Sequence, residues 1–263
     1  LIEKGYRVAI AEQVGEVSGR GLVAREVTRV VTPGTVVEPA LLEDKRPNYL
    51  AALVIEDGRA GLAYADITTG EFATTQLGLE DAERELARLQ PRECLVGAQA
   101  LEKPETLPGF LRAASGPHLT PLPDFRFEGG FAERTLLEHF GVVTLAGFGC
   151  AGLPLAVRAA GAIVHYLRET QRGALAQVTS LSTYSTARYM TLDAATRRNL
   201  ELTETLRERK VQGSLLDALD LTLTPMGGRL LRARLTQPLL DPAEINARLD
   251  EVQRFYDDTV LRG

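Results

Sequence analysis

Two apolar runs joined by a tight turn constrain the fold of this chain more than any other feature. The runs YLAALVIE, from Tyr49, and AGLAYADI, from Ala60, flank the pair Asp57-Gly58. Glycine accepts the positive φ that a two-residue hairpin turn requires. A second turn at Thr68-Thr69-Gly70 leads into the run EFATTQL. The sequence therefore predicts three consecutive antiparallel strands.

The residues after these strands alternate between helical and strand patterns. Apolar side chains at helical spacing predict helices over residues 79–89, 131–140 and 153–170. The run ECLV at 93–96 is typical of a short buried strand, and the Pro- and Gly-rich stretch 113–123 is predicted to be a loop. Three antiparallel strands followed by alternating helix and strand predict an α/β domain of the ribonuclease H type.

A short α/β fragment is predicted before this domain. It contains two expected strands, Tyr6–Ala11 and Val23–Val31, which are too few to enclose a core, and it ends at the turn Thr32-Pro33-Gly34-Thr35. The period of two along the second strand predicts one shared face for Arg25, Val27, Arg29 and Val31. Arginine suits bidentate phosphate contacts, so Arg25 and Arg29 are candidate phosphate-binding residues, and a solvated strand face beside Glu26 is the alternative.

The end of the chain is predicted to be helical. Asp193 is expected to cap one helix, and Pro225 and Pro242 stand at first-turn positions of two more, where a missing N–H costs nothing. Pro238 is expected to end the second helix. Thr196, Leu200, Thr203 and Leu206 are expected on one side of the first helix, and Leu230, Leu231 and Leu235 are expected to form the buried stripe of the second. The third helix, predicted from Pro242 to Phe255, carries Ile245, Leu249, Val252 and Phe255.

The distribution of charge and the amino-acid composition limit the classes of function expected for this chain. Residues 41–180 hold 13 basic and 18 acidic side chains, which accounts for the whole net charge of −5. An acidic middle repels a polyanion and suits a surface that faces another protein. Two distant cysteines, Cys94 and Cys150, indicate a reducing cytosol, and no run is long enough for a membrane span. The first residue is Leu rather than Met, so a truncated start is expected.

One glycine pattern suggests nucleotide binding. Residues 147–152 read GFGCAG, a literal GxGxxG that follows an apolar run and precedes a helix. The fingerprint also requires a strand ending in Asp or Glu about 20 residues later, which is missing here, so a helix-entry loop is the better interpretation. No GxxxxGK[ST] phosphate loop occurs in the sequence. A nucleotide-binding regulatory module stays open as an alternative.

A second alternative is a stand-alone nuclease on the ribonuclease H layout. Asp66, with Glu71 nearby, would be its first metal-binding carboxylate, because such chemistry needs several carboxylates on two cations. Asp66 also precedes a Thr-Thr-Gly turn, where Asp commonly caps the turn. The three histidines, His118, His139 and His165, are scattered. We therefore predict no catalytic residue, no metal site and no cofactor in this chain.

Several motifs together resemble the MutS family of DNA mismatch-repair proteins. They are AIAEQV, VAREVTRVVTPGT, YLAALV, GLAYADITTGEF, GFG with PLAVRAAGAIVHYLRETQ, LDAATRRNLEL and TPMGGRLLRARLTQPLLD. The resemblance implies that residues 1–38 are the tail of the mismatch-binding domain, with Arg25 and Arg29 as candidate DNA-binding residues beside its DNA-facing part, and that 39–48 are a linker. It also implies that 49–178 are the ribonuclease H-like connector domain and 179–263 the first part of an all-α core domain.

The resemblance also implies a function for the intact protein. It would be a cytoplasmic homodimer that binds mismatched duplex DNA, hydrolyses ATP with Mg²⁺ and recruits MutL. This portion would link the DNA-binding and ATPase parts and offer a docking surface for MutL. The resemblance places the family's Phe-x-Glu mismatch reader upstream of Leu1 and its Walker A loop far downstream of Gly263, and the lever and clamp helices are expected to be missing too. No enzyme activity is therefore expected for this chain. Arg234 stands where relatives often carry Trp.

Overall fold

A computed structural model describes residues 1–2, 5–13, 25–43 and 45–262 of the chain. Within these residues the chain forms two compact units, Leu1–Tyr184 and Ser185–Gly263. We call them the first unit and the second unit. The predicted strand start at Val23 lies outside the described residues.

The first unit contains two sheets. Its strands are β1 (Val8–Gln13), β2 (Arg25–Val31), β3 (Leu50–Glu56), β4 (Arg59–Asp66), β5 (Glu71–Gly78), β6 (Glu93–Gly97), β7 (His118–Leu122) and β8 (Ser182–Thr183). Strands β1 and β2 form an antiparallel pair, which we call the N-terminal ribbon. The other six form a mixed sheet in the order β7-β6-β3-β4-β5-β8. In it β3, β4 and β5 are antiparallel neighbours, as the turn at Asp57-Gly58 predicts, while β6 and β7 run parallel to β3.

Helices lie between and after these strands. They are α1 (Leu79–Leu89), α2 (Ala98–Glu102), α3 (Gly109–Arg112), α4 (Gly129–Phe140), α5 (Pro154–Thr170) and α6 (Arg172–Leu175). The predicted helices at 79–89, 131–140 and 153–170 are therefore present. Strand β7 is a correction, because we expected a loop over 113–123. Its Pro121 lacks the N–H of a central strand, but β7 is an edge strand, where proline is tolerated.

Both faces of the six-stranded sheet are covered, which explains its nearly continuous apolar strands. On one face, alternate residues such as Ala52 and Ala63 join a core cluster with α5. On the opposite face, Leu53 and Leu62 join a second cluster with α1. Because successive strand residues point to opposite faces, each strand supplies both clusters.

Small residues bring α5 very close to the sheet. A Cβ added at Gly61 of β4 would lie 2.0 Å from the carbonyl oxygen of Leu155. The hydroxyl of the buried Thr74 donates to the carbonyl oxygens of Ala156 (2.9 Å) and Leu62 (3.1 Å). The Ala-rich face of α5 therefore packs backbone against backbone, and Gly61 is required for that approach.

The second unit is helical, with α7 (Ala194–Asn199), α8 (Leu215–Leu219), α9 (Pro225–Thr236), α10 (Pro242–Asp257) and α11 (Thr259–Arg262). Asp193 caps α7 as predicted, its carboxylate accepting from the backbone N–H of Thr196 (2.6 Å). The side chains of Thr224 and Asp241 cap α9 and α10. We expected the first helix to continue through Leu206, but it ends at Asn199. Glu201, at φ 46°, has the left-handed conformation that ends a helix.

The expected buried stripe of α9 is wrong in part, because Leu231 and Leu235 are half-buried but Leu230 is exposed, and the apolar face of α10 is exposed as well. Leu230 of α9 is 53% exposed, and Leu249 and Val252 of α10 are each 58% exposed. The spacing correctly predicts that these residues share a helix face, but helical spacing alone does not supply a surface to cover that face. Among the described residues, no helix has the length and apolar composition needed to cross a bilayer.

Candidate nucleic-acid interface and its buried anchor

The two arginines predicted to contact DNA lie on β2, but on opposite faces of the N-terminal ribbon. Arg29 pairs with Ile10, whereas Arg25 pairs with Gln13, and the register shifts between Ile10 and Ala11. This bulge leaves Thr28 as an extra residue in β2, and its hydroxyl donates to the carbonyl oxygen of Ile10 (3.2 Å). An extra residue breaks the alternation of side chains, so the expected shared face is wrong.

The surroundings of the two arginines differ as well. Arg25 is exposed. Arg29 is half-buried, and its guanidinium forms an ion pair of 2.6 Å with the carboxylate of Glu38. A phosphate that approached Arg29 would compete with this carboxylate, whereas Arg25 presents its charge to solvent. Their role in DNA binding stays a prediction.

A buried carboxylate anchors the turn that follows the ribbon. Glu93, at the start of β6, is completely buried. Its Oε2 accepts from the hydroxyl of Thr32 (2.5 Å) and the backbone N–H of Gly34 (2.9 Å). Its Oε1 accepts from the hydroxyls of Thr120 (2.6 Å) and Tyr166 (2.7 Å). One side chain thus connects the Thr32–Thr35 turn with β6, β7 and α5, which satisfies its buried oxygens.

Two further contacts link the N-terminal ribbon, or the residue just before it, with the last turn of α5 and the residue that follows it. The side-chain amide of Gln171 donates to the carbonyl oxygen of Val30 (3.1 Å). The guanidinium of Arg7 lies 5.7 Å from the ring centroid of Tyr166. Burial and the nearby Glu93 carboxylate raise the pKa of Tyr166, so its hydroxyl stays protonated and donates.

Glu93 is not among the functional residues predicted from the sequence. One signal was available, because Glu93 is the acidic residue at the start of the apolar strand ECLV, and a carboxylate inside a sheet requires hydrogen-bond donors. The partners could not be found from the sequence. All four come from residues 27 to 73 positions away along the chain.

Asp66 has the turn-capping role that its sequence context suggests. Its Oδ1 accepts from the backbone N–H (2.9 Å) and hydroxyl (2.6 Å) of Thr68. Its Oδ2 accepts from the backbone N–H of Asn48 (3.0 Å). Glu71 accepts from the hydroxyls of Tyr49 and Tyr64, each at 3.1 Å. In the part of the chain that the structure describes, no three acidic, His or Cys side chains form a metal-binding group.

The residues 147–152 form the entry to α5. A single helical turn, Ala146–Phe148, precedes Gly149, which has a φ of 77°. At the start of α5, Pro154 has no N–H, and the N–H of Leu155 donates to the side chain of Gln76 (2.9 Å). A phosphate at a helix N-terminus needs free N–H groups, so this arrangement favours the helix-entry loop over nucleotide binding.

The three histidines lie apart in the first unit. His118 is on β7, and a ring nitrogen of His139 is 2.7 Å from the carbonyl oxygen of Val178. His165 on α5 contacts the ring of Phe131, as expected for a histidine at the edge of the core. Burial, and secondarily Arg126, lower the pKa of His165. No nucleophile and base pairing follows from these positions.

A second buried polar group lies on the α1 face of the sheet. The carboxylate of Glu85 forms an ion pair with Arg88 (2.7 Å) and accepts from the hydroxyl of Tyr184 (2.9 Å). Tyr184 also contacts the ring of Tyr64. Burial, followed by the nearby Glu85, raises the pKa of Tyr184. Burial also raises the pKa of the Cys94 thiol, so Cys94 is a packing residue rather than a nucleophile.

Arg234, which stands where relatives often carry Trp, lies on α9 of the second unit. Its guanidinium is 3.9 Å from the carboxylate of Glu251 on α10. Side chains of this unit also donate hydrogen bonds to backbone carbonyl oxygens in the segments that flank its helices. Arg197 donates to the carbonyl oxygens of Leu192 (3.1 Å) and Thr236 (2.8 Å).

Three family models match this chain in sequence order. MutS domain I matches residues 1–40, MutS domain II matches residues 48–180 and MutS domain III matches residues 195–263. The second match alone covers more than half of the chain, and it includes β3 to α6.

Curated relatives are similar over the whole chain. Proteins named DNA mismatch repair protein MutS are 48% identical in Thermosynechococcus vestitus, 46% in Dehalococcoides mccartyi and 47% in Synechococcus elongatus. Each alignment covers 100% of this chain but only 30–31% of the relative. The chain therefore spans about a third of the length of the relatives it matches.

Proposed function

The chain belongs to the MutS family, and from that premise we propose that it is part of a DNA mismatch-repair protein that binds mismatched duplex DNA. The observation that carries this proposal is the match of MutS domains I, II and III in order along 263 residues. The name of these relatives, DNA mismatch repair protein MutS, supports the repair role. In this protein, residues of the first two domains would connect a DNA-binding part with an ATPase part.

We assign the parts as follows: residues 1–38 to the tail of the mismatch-binding domain, 39–48 to a linker, 49–178 to a ribonuclease H-like connector and 179–263 to the first part of the core domain. The strand arrangement supports the connector assignment. Three antiparallel strands, β3, β4 and β5, precede two strands that run parallel to β3 on its other side. Superposition of this sheet on solved ribonuclease H-like domains, with comparison of strand order and direction, would test the assignment.

DNA contact is proposed for the N-terminal ribbon. Arg25 would contact a phosphate directly, because its side chain is exposed. Arg29 would do so only after leaving Glu38. The acidic stretch 41–180 would face protein partners, and MutL is the partner we propose for it.

ATP hydrolysis with Mg²⁺, homodimer formation and a cytoplasmic location are proposed for the intact protein. For this chain we propose no catalytic activity of its own. A purified chain should therefore hydrolyse no ATP. It should also bind matched and mismatched duplexes equally, since the one Phe-x-Glu of the sequence, Phe131-Ala132-Glu133, lies on α4 within the residues that match MutS domain II. A preference of about tenfold for a mismatch in fluorescence anisotropy, about 1.4 kcal/mol, would contradict this account.

A chimeric protein tests the repair function. The matching segment of the Synechococcus elongatus relative would be replaced by this chain, and the chimera expressed in a strain that lacks its own MutS. We expect the spontaneous mutation frequency to fall to the value given by the unmodified relative. The control is the relative with the same segment deleted. A soluble chimera at normal abundance that leaves the frequency at the deletion value would overturn the proposal.

MutL docking requires a separate test. Purified MutL should bind the chain, and the binding should weaken as salt increases, because an acidic surface is screened by ions. A test variant would replace two exposed acidic residues of α1, Glu80 with Gln and Asp81 with Asn, and it should bind MutL more weakly. Binding that is independent of both salt and these charges would contradict an acidic docking surface.

A further inference from the structure

We propose that Glu93 is a positioning residue that fixes the N-terminal ribbon on the six-stranded sheet. The positioning role of Glu93 rests on contacts among the described residues. The consequence for DNA binding rests on the proposed function, because it requires that the ribbon contacts DNA. Without this carboxylate, the ribbon and its arginines would lose their fixed orientation relative to the connector.

The carboxylate has an unusual distribution of partners. One oxygen accepts from two groups of the Thr32–Thr35 turn, and the other accepts from Thr120 on β7 and Tyr166 on α5. The turn begins one residue after β2 ends at Val31. All four donors are neutral and all four bonds are buried. A movement of the ribbon relative to the sheet must therefore break hydrogen bonds to a buried charge, which costs more than breaking exposed ones.

The turn is also closely packed against the same side chain. A Cβ added at Gly34 would lie 2.9 Å from Cβ of Glu93 and 3.1 Å from Cβ of Leu50. The hydroxyls of Thr32 and Thr35 lie 2.9 Å apart, and Thr35 also accepts from the N–H of Thr32 (2.9 Å). The turn therefore presents a preformed pair of donors to Glu93. Glycine at position 34 allows the backbone N–H to reach the carboxylate.

Glutamine cannot reproduce this arrangement. A carboxylate accepts at both oxygens, whereas an amide accepts at one and donates at the other. The N–H of Gly34 can only donate, so the amide nitrogen of a Gln at position 93 would have to face Thr120 and Tyr166. Their hydroxyls would then have to act as acceptors. The Glu93→Gln variant therefore removes the charge and takes away the oxygen that accepts from the hydroxyls of Thr120 and Tyr166, without changing the size of the side chain.

A purely stabilising role makes a different prediction. Glu85 supplies the matched control, because it is also a buried glutamate of the first unit, at 5% exposure. It lies on the α1 face, and its partners are Arg88 and Tyr184 rather than the ribbon. If Glu93 only stabilised the unit, then Glu93→Gln and Glu85→Gln would change the same segments.

Hydrogen exchange followed by mass spectrometry separates the two roles. In Glu93→Gln we expect amide exchange in residues 25–36 to rise about tenfold, as for one lost buried hydrogen bond, while β4 exchanges as in the wild type. In Glu85→Gln, residues 25–36 should keep wild-type exchange. Unchanged exchange of residues 25–36 in Glu93→Gln, or an equal increase in β4, would overturn the proposal.

A second variant covers the case in which Glu93→Gln does not fold. Thr32→Val removes one donor from the turn and leaves Glu93 with Thr120 and Tyr166. It should raise exchange in residues 25–36 and leave the sheet unchanged, and a failure to do so would contradict the proposal.

Duplex binding by the same variants, measured by fluorescence anisotropy, tests the function separately. If amide exchange in residues 25–36 is faster and duplex binding is weaker in the variants, both the positioning role of Glu93 and DNA contact by the ribbon are supported. Faster exchange in a chain whose wild type binds no duplex leaves the positioning role in place and contradicts DNA contact by the ribbon.

Discussion

The two units of this chain carry similar apolar patterns but bury them to very different extents. In the first unit, Leu62 and Leu95 are completely buried between sheet and helices. In the second unit, Leu249 and Val252 stand at helical spacing on α10 and are each more than half exposed. Periodicity shows which side chains share a face. Whether that face is covered depends on a second layer, which the first unit contains within itself.

The difference also concerns how each unit is held together. The first unit combines two apolar clusters with buried polar networks at Glu93 and Glu85. The second unit depends on helix caps and on bonds from side chains to backbone, such as those from Arg197. Caps contribute about 1 kcal/mol each, whereas a buried leucine contributes several times more. We therefore expect the second unit to open at lower free energy.

The largest expected effect is at the closest packing in the first unit. Gly61→Ala would place a Cβ 2.0 Å from the carbonyl oxygen of Leu155, so α5 would have to separate from the sheet. We expect a loss of about 5 kcal/mol or more in the free energy of unfolding of this unit. In the second unit, Gly227→Ala places its Cβ 3.2 Å from the hydroxyl oxygen of Thr224. That change should stay within about 1 kcal/mol.

Urea denaturation, followed by hydrogen exchange of each unit, measures both glycine variants. Equal losses in the two units would show that backbone packing does not distinguish them.

The next effect compares one leucine from each unit. Leu62→Ala removes a fully buried side chain and should lower the free energy of unfolding by about 2–5 kcal/mol. Leu249→Ala removes a side chain that is 58% exposed and should change it by less than about 0.5 kcal/mol. The protection of peptides from β4 and from α10 against hydrogen exchange measures the change in the free energy of unfolding for each variant. A large loss at Leu249 would mean that its face is covered in solution.

A smaller effect concerns DNA affinity. Arg25→Ala should weaken duplex binding by about threefold to tenfold at low salt, because one phosphate contact is lost. Glu38→Gln should strengthen binding by a few fold, about 1 kcal/mol or less, since Arg29 loses its competing carboxylate. The control from the second unit is Arg207→Ala, another exposed arginine. Fluorescence anisotropy at two salt concentrations measures all three.

The arginine assignment would be wrong if Arg207→Ala weakened binding as much as Arg25→Ala. DNA contact would then be a property of the second unit, or a nonspecific effect of charge.

The smallest effect is on pH dependence, and it should be confined to the first unit, which contains all three histidines. Burial, followed by Arg126, lowers the pKa of His165 in the folded state, so the unfolded state takes up the proton first. The contribution of His165 to stability is therefore complete above its unfolded pKa, about 6.5, and decreases as the pH falls below it.

His165→Gln removes this dependence. The midpoint of thermal unfolding should fall less between pH 7.5 and pH 5 in the variant than in the wild type, while the exchange of the second unit should respond equally in both. The interpretation fails if the wild type and the variant respond identically.

Much of the first unit could be predicted from local sequence. The Asp57-Gly58 turn and the alternating runs around it identify β3 and β4, and Leu79–Leu89 is a helix with the predicted bounds. Strand β7 could not be predicted, because Pro121 is unfavourable in a strand until the sheet places it at an edge. The early end of α7 was missed for a similar reason. The left-handed conformation of Glu201 is fixed by later residues, whose N–H groups bond to its carbonyl and to that of Leu202.

Some features of the candidate site could likewise be predicted from local sequence, whereas others could not. The sequence identifies Arg25 and Arg29 as residues suited to phosphate, and Asp66 as the cap of a turn. It does not reveal the bulge at Thr28, because an extra residue in one strand is defined only by its pairing with the other. It also does not reveal the partners of Glu93, which lie far away along the chain.

The sequence by itself determined the family, the order of the parts, most strands and helices, and the apolar face of each helix. These depend on local spacing and on motifs that each occupy a few residues. Only the tertiary structure decided which apolar faces are covered, that the two arginines point to opposite sides, and that Glu93 holds the turn after the ribbon. Each of these depends on contacts between distant segments, and a buried carboxylate acquires its role from the donors that folding brings to it.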